Sequence, residues 1–336
     1  MSRRSMVSGL GATLLVGPAS ARIRKVAGSY GDAADYSAAR RGVSLLVMQD
    51  GKMLFEDYPR PGGSAEAWEL ASGTKSFTGV MAAAAQADGL LDIEEPASKT
   101  LLEWRGDPRK SRITIRNLLS LNAGLEGKRA IGRPPDYLEA IEAPAIHDPG
   151  AVFEYTPTNF QIFGEIMRRK LRAAGRPDDP VVYLRARVLD RIQAPPSDWK
   201  RGRDGNPFMP QGAQYTARNW ARFGQWVMDG GQGVDQRTFH AMFESSSANP
   251  GYGMSWWLLR PGLIGPDPRA GIDGAAIGEA AQKEDIVMAA GAGDQRLYLF
   301  RRRRLVVVRQ ANHIIRSFGP LAKKWRDEDF LRLMLT

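Results

Sequence analysis

Trp68-Glu69-Leu70-Ala71-Ser72-Gly73-Thr74-Lys75-Ser76-Phe77-Thr78-Gly79-Val80 runs straight into Met81-Ala82-Ala83-Ala84-Ala85-Gln86-Ala87. Alanine is the strongest helix former, and a stretch this bare of charge predicts a buried helix. If Ser72 opens that helix, Ser72 and Lys75 lie on the same side of its first turn. Unpaired N–H groups and the positive end of the helix dipole would favour an oxyanion beside Ser72. Both the dipole and burial would disfavour a protonated Lys75. A neutral amine can then accept the serine proton.

A Ser-x-x-Lys pair means little without that context. A second copy, Ser197-Asp198-Trp199-Lys200, lies between Pro195-Pro196 and Gly202-Arg203-Asp204-Gly205. It sits among turn residues with no buried helix behind it, so it is read as coincidence.

The 336 residues suffice for one large domain or two small ones, and 43% apolar content is ordinary for a protein with a real core. The net charge of +10 comes mostly from scattered arginines, which argues against a nucleic-acid partner. The absence of cysteine excludes disulfides and thiolate metal sites. The three histidines, His147, His240 and His313, form no metal-spacing pair, and no Gly-x-Ser-x-Gly elbow is present. A Ser-His-Asp triad is therefore not expected, and a base other than histidine is needed.

Residues 1–21 read as an export signal. Arg3 and Arg4 form a charged start, Met6 to Val16 is short and apolar, and Ala19-Ser20-Ala21 fits a cleavage site. The apolar run is too short for an ordinary membrane span. The order Ser2-Arg3-Arg4-Ser5-Met6-Val7 resembles the twin-arginine motif, which places the mature chain in a bacterial periplasm or outside the cell.

Two apolar runs, Val43 to Gln49 and Lys52 to Glu56, meet at Asp50-Gly51, a strong hairpin signal. From Asp88 to about Asn249 the pattern is helices and long loops. Short helices are expected at Ile113 to Ser120 and Asp136 to Glu142. Longer ones are expected at Phe160 to Arg172 and after Thr216, which reads as an N-cap. Strands return at Tyr252 to Leu259, Asp285 to Ala290, Arg296 to Phe300 and Leu305 to Gln310. An amphipathic helix, Leu321 to Leu335, ends the chain. Arg301 to Arg304 reads as a solvated hairpin tip rather than an anchor for acidic polymers. Trp256 and Trp257 alternate across a strand, so one of them can face a cleft. The economical fold is α+β: one antiparallel sheet from both chain ends (about 22–87 and 250–336) with a mostly helical region inserted (about 88–249), in one domain over 22–336.

These motifs together resemble the serine β-lactamase-like hydrolases of class C type. That superfamily includes class C β-lactamases, D-Ala-D-Ala carboxypeptidases, carboxylesterases and 6-aminohexanoate-dimer hydrolases. The resemblance covers most of Val43 to Leu335. It is carried by Ser72-Gly73-Thr74-Lys75-Ser76-Phe77, by Thr114 to Leu125, and by Pro149-Gly150-Ala151-Val152-Phe153-Glu154-Tyr155. It implies a β-lactamase/transpeptidase-like fold, Ser72 as nucleophile, and Lys75 and Tyr155 as general bases.

The chain departs from the family at two motifs. The Tyr-x-Asn motif becomes Tyr155-Thr156-Pro157, with Asn159 two residues on. The third motif, Lys-Thr-Gly or His-x-Gly on a strand beside the serine, becomes Ala289-Ala290-Gly291, followed by Ala292. The resemblance implies an oxyanion hole from the backbone N–H groups of Ser72 and Ala292. Ala289, Ala290 and Gly291 would then form the strand along which substrate lies, small enough for close approach. Loss of the cationic side chain at Ala289 counts against β-lactam and D-Ala-D-Ala substrates. The expectation is a metal-free, cofactor-free serine hydrolase acting on a small ester or amide. The alternatives are β-lactamase or D-Ala-D-Ala carboxypeptidase activity, or a non-catalytic binding or scaffold relative of the fold.

Overall fold

The computed structural model describes residues 29–60, 63–127, 133–259, 284–314, 319 and 323–335. The export signal and part of the Gly127 to Gly150 loop lie outside these residues. The helices are α1 (Ser29–Ala38), α2 (Ser76–Ala87), α3 (Ile115–Leu119), α4 (Tyr137–Ile141) and α5 (Thr158–Ala173). They continue with α6 (Pro180–Leu184), α7 (Ala217–Met228), α8 (Gln236–Ala241) and α9 (Asp327–Leu335). The strands are β1 (Gly42–Gln49), β2 (Lys52–Asp57), β3 (Ala67–Glu69), β4 (Asp198–Trp199) and β5 (Ala213–Thr216). The last four are β6 (Trp257–Leu258), β7 (Ile286–Gly291), β8 (Gln295–Phe300) and β9 (Leu305–Ala311).

The main sheet has six strands in the order β2-β1-β9-β8-β7-β6, each pairing antiparallel with its neighbour. Both chain ends build it, as the sequence pattern implies. Asp50 (φ 48°) and Gly51 (φ 76°) both take the left-handed backbone that a two-residue hairpin turn requires. The apolar strands are buried along their length, with α1 and α9 against one region of the sheet and α7 against β1, β8 and β9. Gly224 of α7 is packed so closely that an added Cβ would lie 2.8 Å from Leu297 and 2.9 Å from Val306. No helix among the described residues is long and apolar enough to cross a membrane.

Three local expectations need correction. The strand expected over Tyr252 to Leu259 is regular only at Trp257–Leu258, because Tyr252 pairs back onto Trp257 and closes a turn. The final helix begins at Asp327, after the described loop residues 323–326. Its start is fixed where the Asp327 carboxylate meets Arg296, Tyr298 and Trp325. The inserted region also contributes two strands to a small sheet, ordered β3-β5-β4, that sequence periodicity did not reveal; its third strand, β3, precedes the Ser72 turn. Its strands have two to four residues, too short to show alternation.

Candidate active site

Ser72 does not open the helix itself. It lies in a 3-10 turn, Ala71–Lys75, that continues into α2 at Ser76. In a 3-10 turn residues three apart eclipse one another, so Ser72 and Lys75 are brought together by the backbone. The turn is anchored at both ends. Leu70 N–H donates to Ala213 O at 2.9 Å, Ala213 N–H donates to Thr74 Oγ1 at 3.1 Å, and Ser76 Oγ donates to Gly73 O at 2.8 Å. Thus β5 of the small sheet holds the turn on one side. Ala71 has φ 45°, a strained value for a residue with a Cβ, immediately before the serine.

Lys75 Nζ lies 2.8 Å from Ser72 Oγ and donates to Pro210 O at 3.1 Å. Its side chain is buried, with Nζ 4.8 Å from the centroid of the Tyr155 ring and 5.4 Å from that of Phe160. Burial brings the amine down from its ordinary 10.5 to about 7. Near neutrality the amine is therefore divided between a protonated form that donates to Ser72 and a neutral form that accepts its proton. The sequence reading invoked the helix dipole as well as burial; burial is the cause found here.

Tyr155 is partly exposed and faces the same pair. Burial of the phenol pushes it up to about 12, while hydrogen bonding with Ser72, the charge of Arg296 and hydrogen bonding with Trp257 pull it the other way. The structure decides between the two tryptophans. Trp257 stacks on Tyr155 with ring centroids 5.5 Å apart, whereas Trp256 is buried between Phe223 and Phe243.

The stretches flanking Tyr155 are joined to one another. Glu154 N–H donates to Leu121 O at 2.8 Å, and Gly150 N–H donates to Asn122 O at 2.7 Å. Ser255 N–H donates to Leu119 O at 2.9 Å. The Thr114 to Leu125 segment, capped by Thr114 and Asn117, therefore fixes both Tyr155 and the Trp257 turn. Pro157 precedes α5, and Asn159 is buried in its first turn with Oδ1 unbonded among the described residues. The Pro210 carbonyl, not this amide, is the second contact of Lys75.

β7 meets the Ser72 turn at its last residue. A Cβ on Gly291 would lie 2.0 Å from Leu70 O and 3.0 Å from Gly73 N. Glycine there lets the strand close on the Ser72 turn, a nearer reason than the substrate approach inferred from sequence. Ala289 and Ala290 are buried, and Ala292 is exposed at the turn into β8. The second Ser-x-x-Lys copy is unrelated to this arrangement: Lys200 pairs with Glu69 at 2.6 Å on the small sheet. Arg301, Arg303 and Arg304 at the hairpin tip pair with Asp285, Glu284 and both Asp50 and Asp229. Sequence reasoning missed Pro210, which contributes only a backbone oxygen, and Arg296, whose signal was a charge inside an apolar strand run.

A serine and a desolvated lysine on one turn, facing a tyrosine and closed by a sheet strand, define a Ser-x-x-Lys site on an α+β scaffold. The sequence matches the Beta-lactamase family over residues 24–313, and the chain belongs to that family. The fold is that of a putative β-lactamase from Bacteroides dorei DSM 17855, with TM-score 0.70 and 15% identity over 91% of this chain and 96% of that one. It is also similar to a D-stereospecific amidohydrolase from Streptomyces sp., with TM-score 0.63 and 14% identity over 87% of this chain and 98% of that one. Among curated proteins, Protein flp of Staphylococcus aureus (strain N315) is 26% identical over 146 residues. That match takes in 38% of this chain and 29% of the relative's length.

Proposed function

We propose that the protein is a serine hydrolase that cleaves a small ester or amide through an acyl-enzyme on Ser72. The observation that carries this reading is the 2.8 Å contact between Ser72 Oγ and a buried Lys75 Nζ whose pKa is brought to about 7. A serine hydroxyl is a weak nucleophile until a neighbouring base takes its proton. In the proposed reaction Ser72 Oγ attacks the carbonyl carbon as its proton passes to Lys75. The tetrahedral oxyanion is held by the Ser72 and Ala292 N–H groups. The carbon–oxygen or carbon–nitrogen bond then breaks, and Tyr155 relays the proton from Lys75 to the leaving group. Water attacks the ester with the same groups in reverse, returning Ser72.

Relatives with hydrolase names support the reading at the level of reaction class. Export through the residue 1–21 leader belongs to the same proposal, and fusing residues 1–28 to a reporter enzyme tests it. A fluorophosphonate probe tests the chemistry. The expected result is a covalent adduct on the Ser72 peptide by mass spectrometry, lost in Ser72→Ala and kept in Ser197→Ala. Tyr155→Phe is expected to lose about 10²-fold or more in turnover, the worth of a placed acid–base group. An unlabelled, well-folded wild type that hydrolyses nothing on ester and amide panels would instead identify a binding or scaffold relative.

A further inference from the structure

The turn that closes the site is gripped from behind by buried arginines. Arg296 and Arg309 face each other across β8 and β9, and both are buried. Arg296 forms a two-pronged pair with Asp327, with Nε donating to Oδ1 at 2.7 Å and Nη2 to Oδ2 at 3.0 Å. Its Nη1 donates to Gly291 O and Gln295 O, each at 3.1 Å. Arg309 Nη1 donates to Gly293 O at 3.3 Å and Asp294 O at 2.7 Å, and Arg41 holds the Asp294 carboxylate at 2.9 Å. Backbone carbonyls from Gly291 to Gln295 are thereby tied to guanidinium groups, through a turn whose Gly293 and Asp294 both have positive φ.

The Gly291 carbonyl has a particular partner. It belongs to the same peptide group as the Ala292 N–H. No cis bond occurs among the described residues, so that N–H points opposite to the carbonyl, away from Arg296. A cation bonded to an amide oxygen draws electron density from its nitrogen and makes the N–H a stronger donor. On the other side, Gly291 is pressed against Leu70, which precedes the Ser72 turn, and Gly73, which follows Ser72 within it. The Arg296 charge also reaches the site, since it favours the Tyr155 phenolate.

We propose that Arg296, oriented by Asp327, is a positioning residue for the oxyanion hole: it fixes the Gly291–Ala292 peptide and strengthens its N–H as a donor to the developing oxyanion. This rests on the reading of Ser72 as an acylated nucleophile. Arg309 and Arg41 complete the same clamp by fixing the rest of the turn. The charge then acts on substrate without touching it.

The test uses matched ester and thionoester substrates, which place oxygen or the poorer acceptor sulfur in the hole. The variants are Arg296→Lys, which keeps the charge but loses the fork, and the paired change Arg296→Met with Asp327→Asn, which leaves no unpaired buried charge. The expected result is a fall in kcat with KM little changed, and a drop of about tenfold in the ester-to-thionoester rate ratio. This is milder than the 10²–10³-fold loss on deleting a donor outright. The ratio is a property of folded molecules alone, so partial unfolding does not obscure it. Wild-type kcat in the variants, or a rate loss that follows the unfolded fraction with the ratio preserved, overturns the proposal. Failure of the wild type to label at Ser72 would instead overturn the hydrolase reading on which it rests.

Discussion

The Trp257 indole lies against the Tyr155 ring, with centroids 5.5 Å apart and planes 30° from parallel, and hydrogen bonding with Trp257 favours the phenolate. Removing that bond while keeping the aromatic plane isolates its contribution. Trp257→Phe should lower kcat a few-fold, because the indole N–H that favours the phenolate is lost while the stacked ring remains. The alkaline limit of the pH profile should also move upward. Trp256→Phe should leave kcat unchanged, because the Trp256 indole nitrogen has no hydrogen-bond partner among the described residues. Equal effects of the two changes on kcat would show that the stacked indole only packs.

Lys75 sets the acid limb. Its amine must be neutral to accept a proton, so kcat/KM should rise with pH through about 7. Lys75→Arg should be as inactive as Lys75→Met, because a guanidinium stays protonated. Stability should rise with pH as well, over a window that begins where the activity limb ends. Between pH 7 and 10 the unfolded chain holds a proton on Lys75 that the folded chain has released, so raising pH favours the folded state in this window. Relative to Lys75→Met, wild-type stability should climb by up to about 1.4 kcal/mol per pH unit there. Below pH 7 both states hold the proton and the difference should flatten. Denaturant titrations of the two proteins from pH 6 to 10 give this slope directly, and parallel curves would refute the desolvated amine.

Gly291→Ala tests the closure of β7 on the Ser72 turn. The new methyl group would need space now occupied by Leu70 O, at 2.0 Å. Strand or turn must therefore shift by an ångström or more, a displacement that can cost about 10² in rate. Labelling of Ser72 should fall by that order, while circular dichroism keeps its native form. Undiminished labelling would mean that the strand and the turn act independently.

Ala289 concerns substrate choice. The family resemblance aligns it with the Lys or His of the third motif, and without that cation a β-lactam carboxylate would lose a charge-assisted bond worth roughly 1.5–3 kcal/mol, or ten- to a hundredfold. Simple p-nitrophenyl esters should therefore be turned over far better than nitrocefin. Ala289→Lys should shift the balance toward the β-lactam. Nitrocefin hydrolysis by the wild type at rates typical of a dedicated β-lactamase would contradict this assignment.

Much of the architecture was legible because its signals are local. The Asp50-Gly51 turn, the Thr216 cap and the apolar strands β8 and β9 each declare themselves within a few residues. The Ser72 and Lys75 pair was legible for the same reason, since one turn of backbone brings them together. What sequence withheld depends on distant partners. Pro210 reaches Lys75 only through the fold of the small sheet, and the role of Trp257 rather than Trp256 follows from the Tyr252 to Trp257 turn. Arg296 read as one more arginine until its strand register placed it opposite Ala290, with its guanidinium on Gly291 O.

The pairing of β1 with β9 joins positions far apart in sequence, such as Leu45 and Arg309, and β7 of the same sheet meets the Ser72 turn. Such long-range pairing carries a loop-closure cost and slows folding. A chain emerging from the ribosome makes the Ser72 turn well before the strand that closes on it. Reactivity of Ser72 toward a serine probe during refolding is therefore expected to appear only as β7 docks, after the long-range pairing of the sheet.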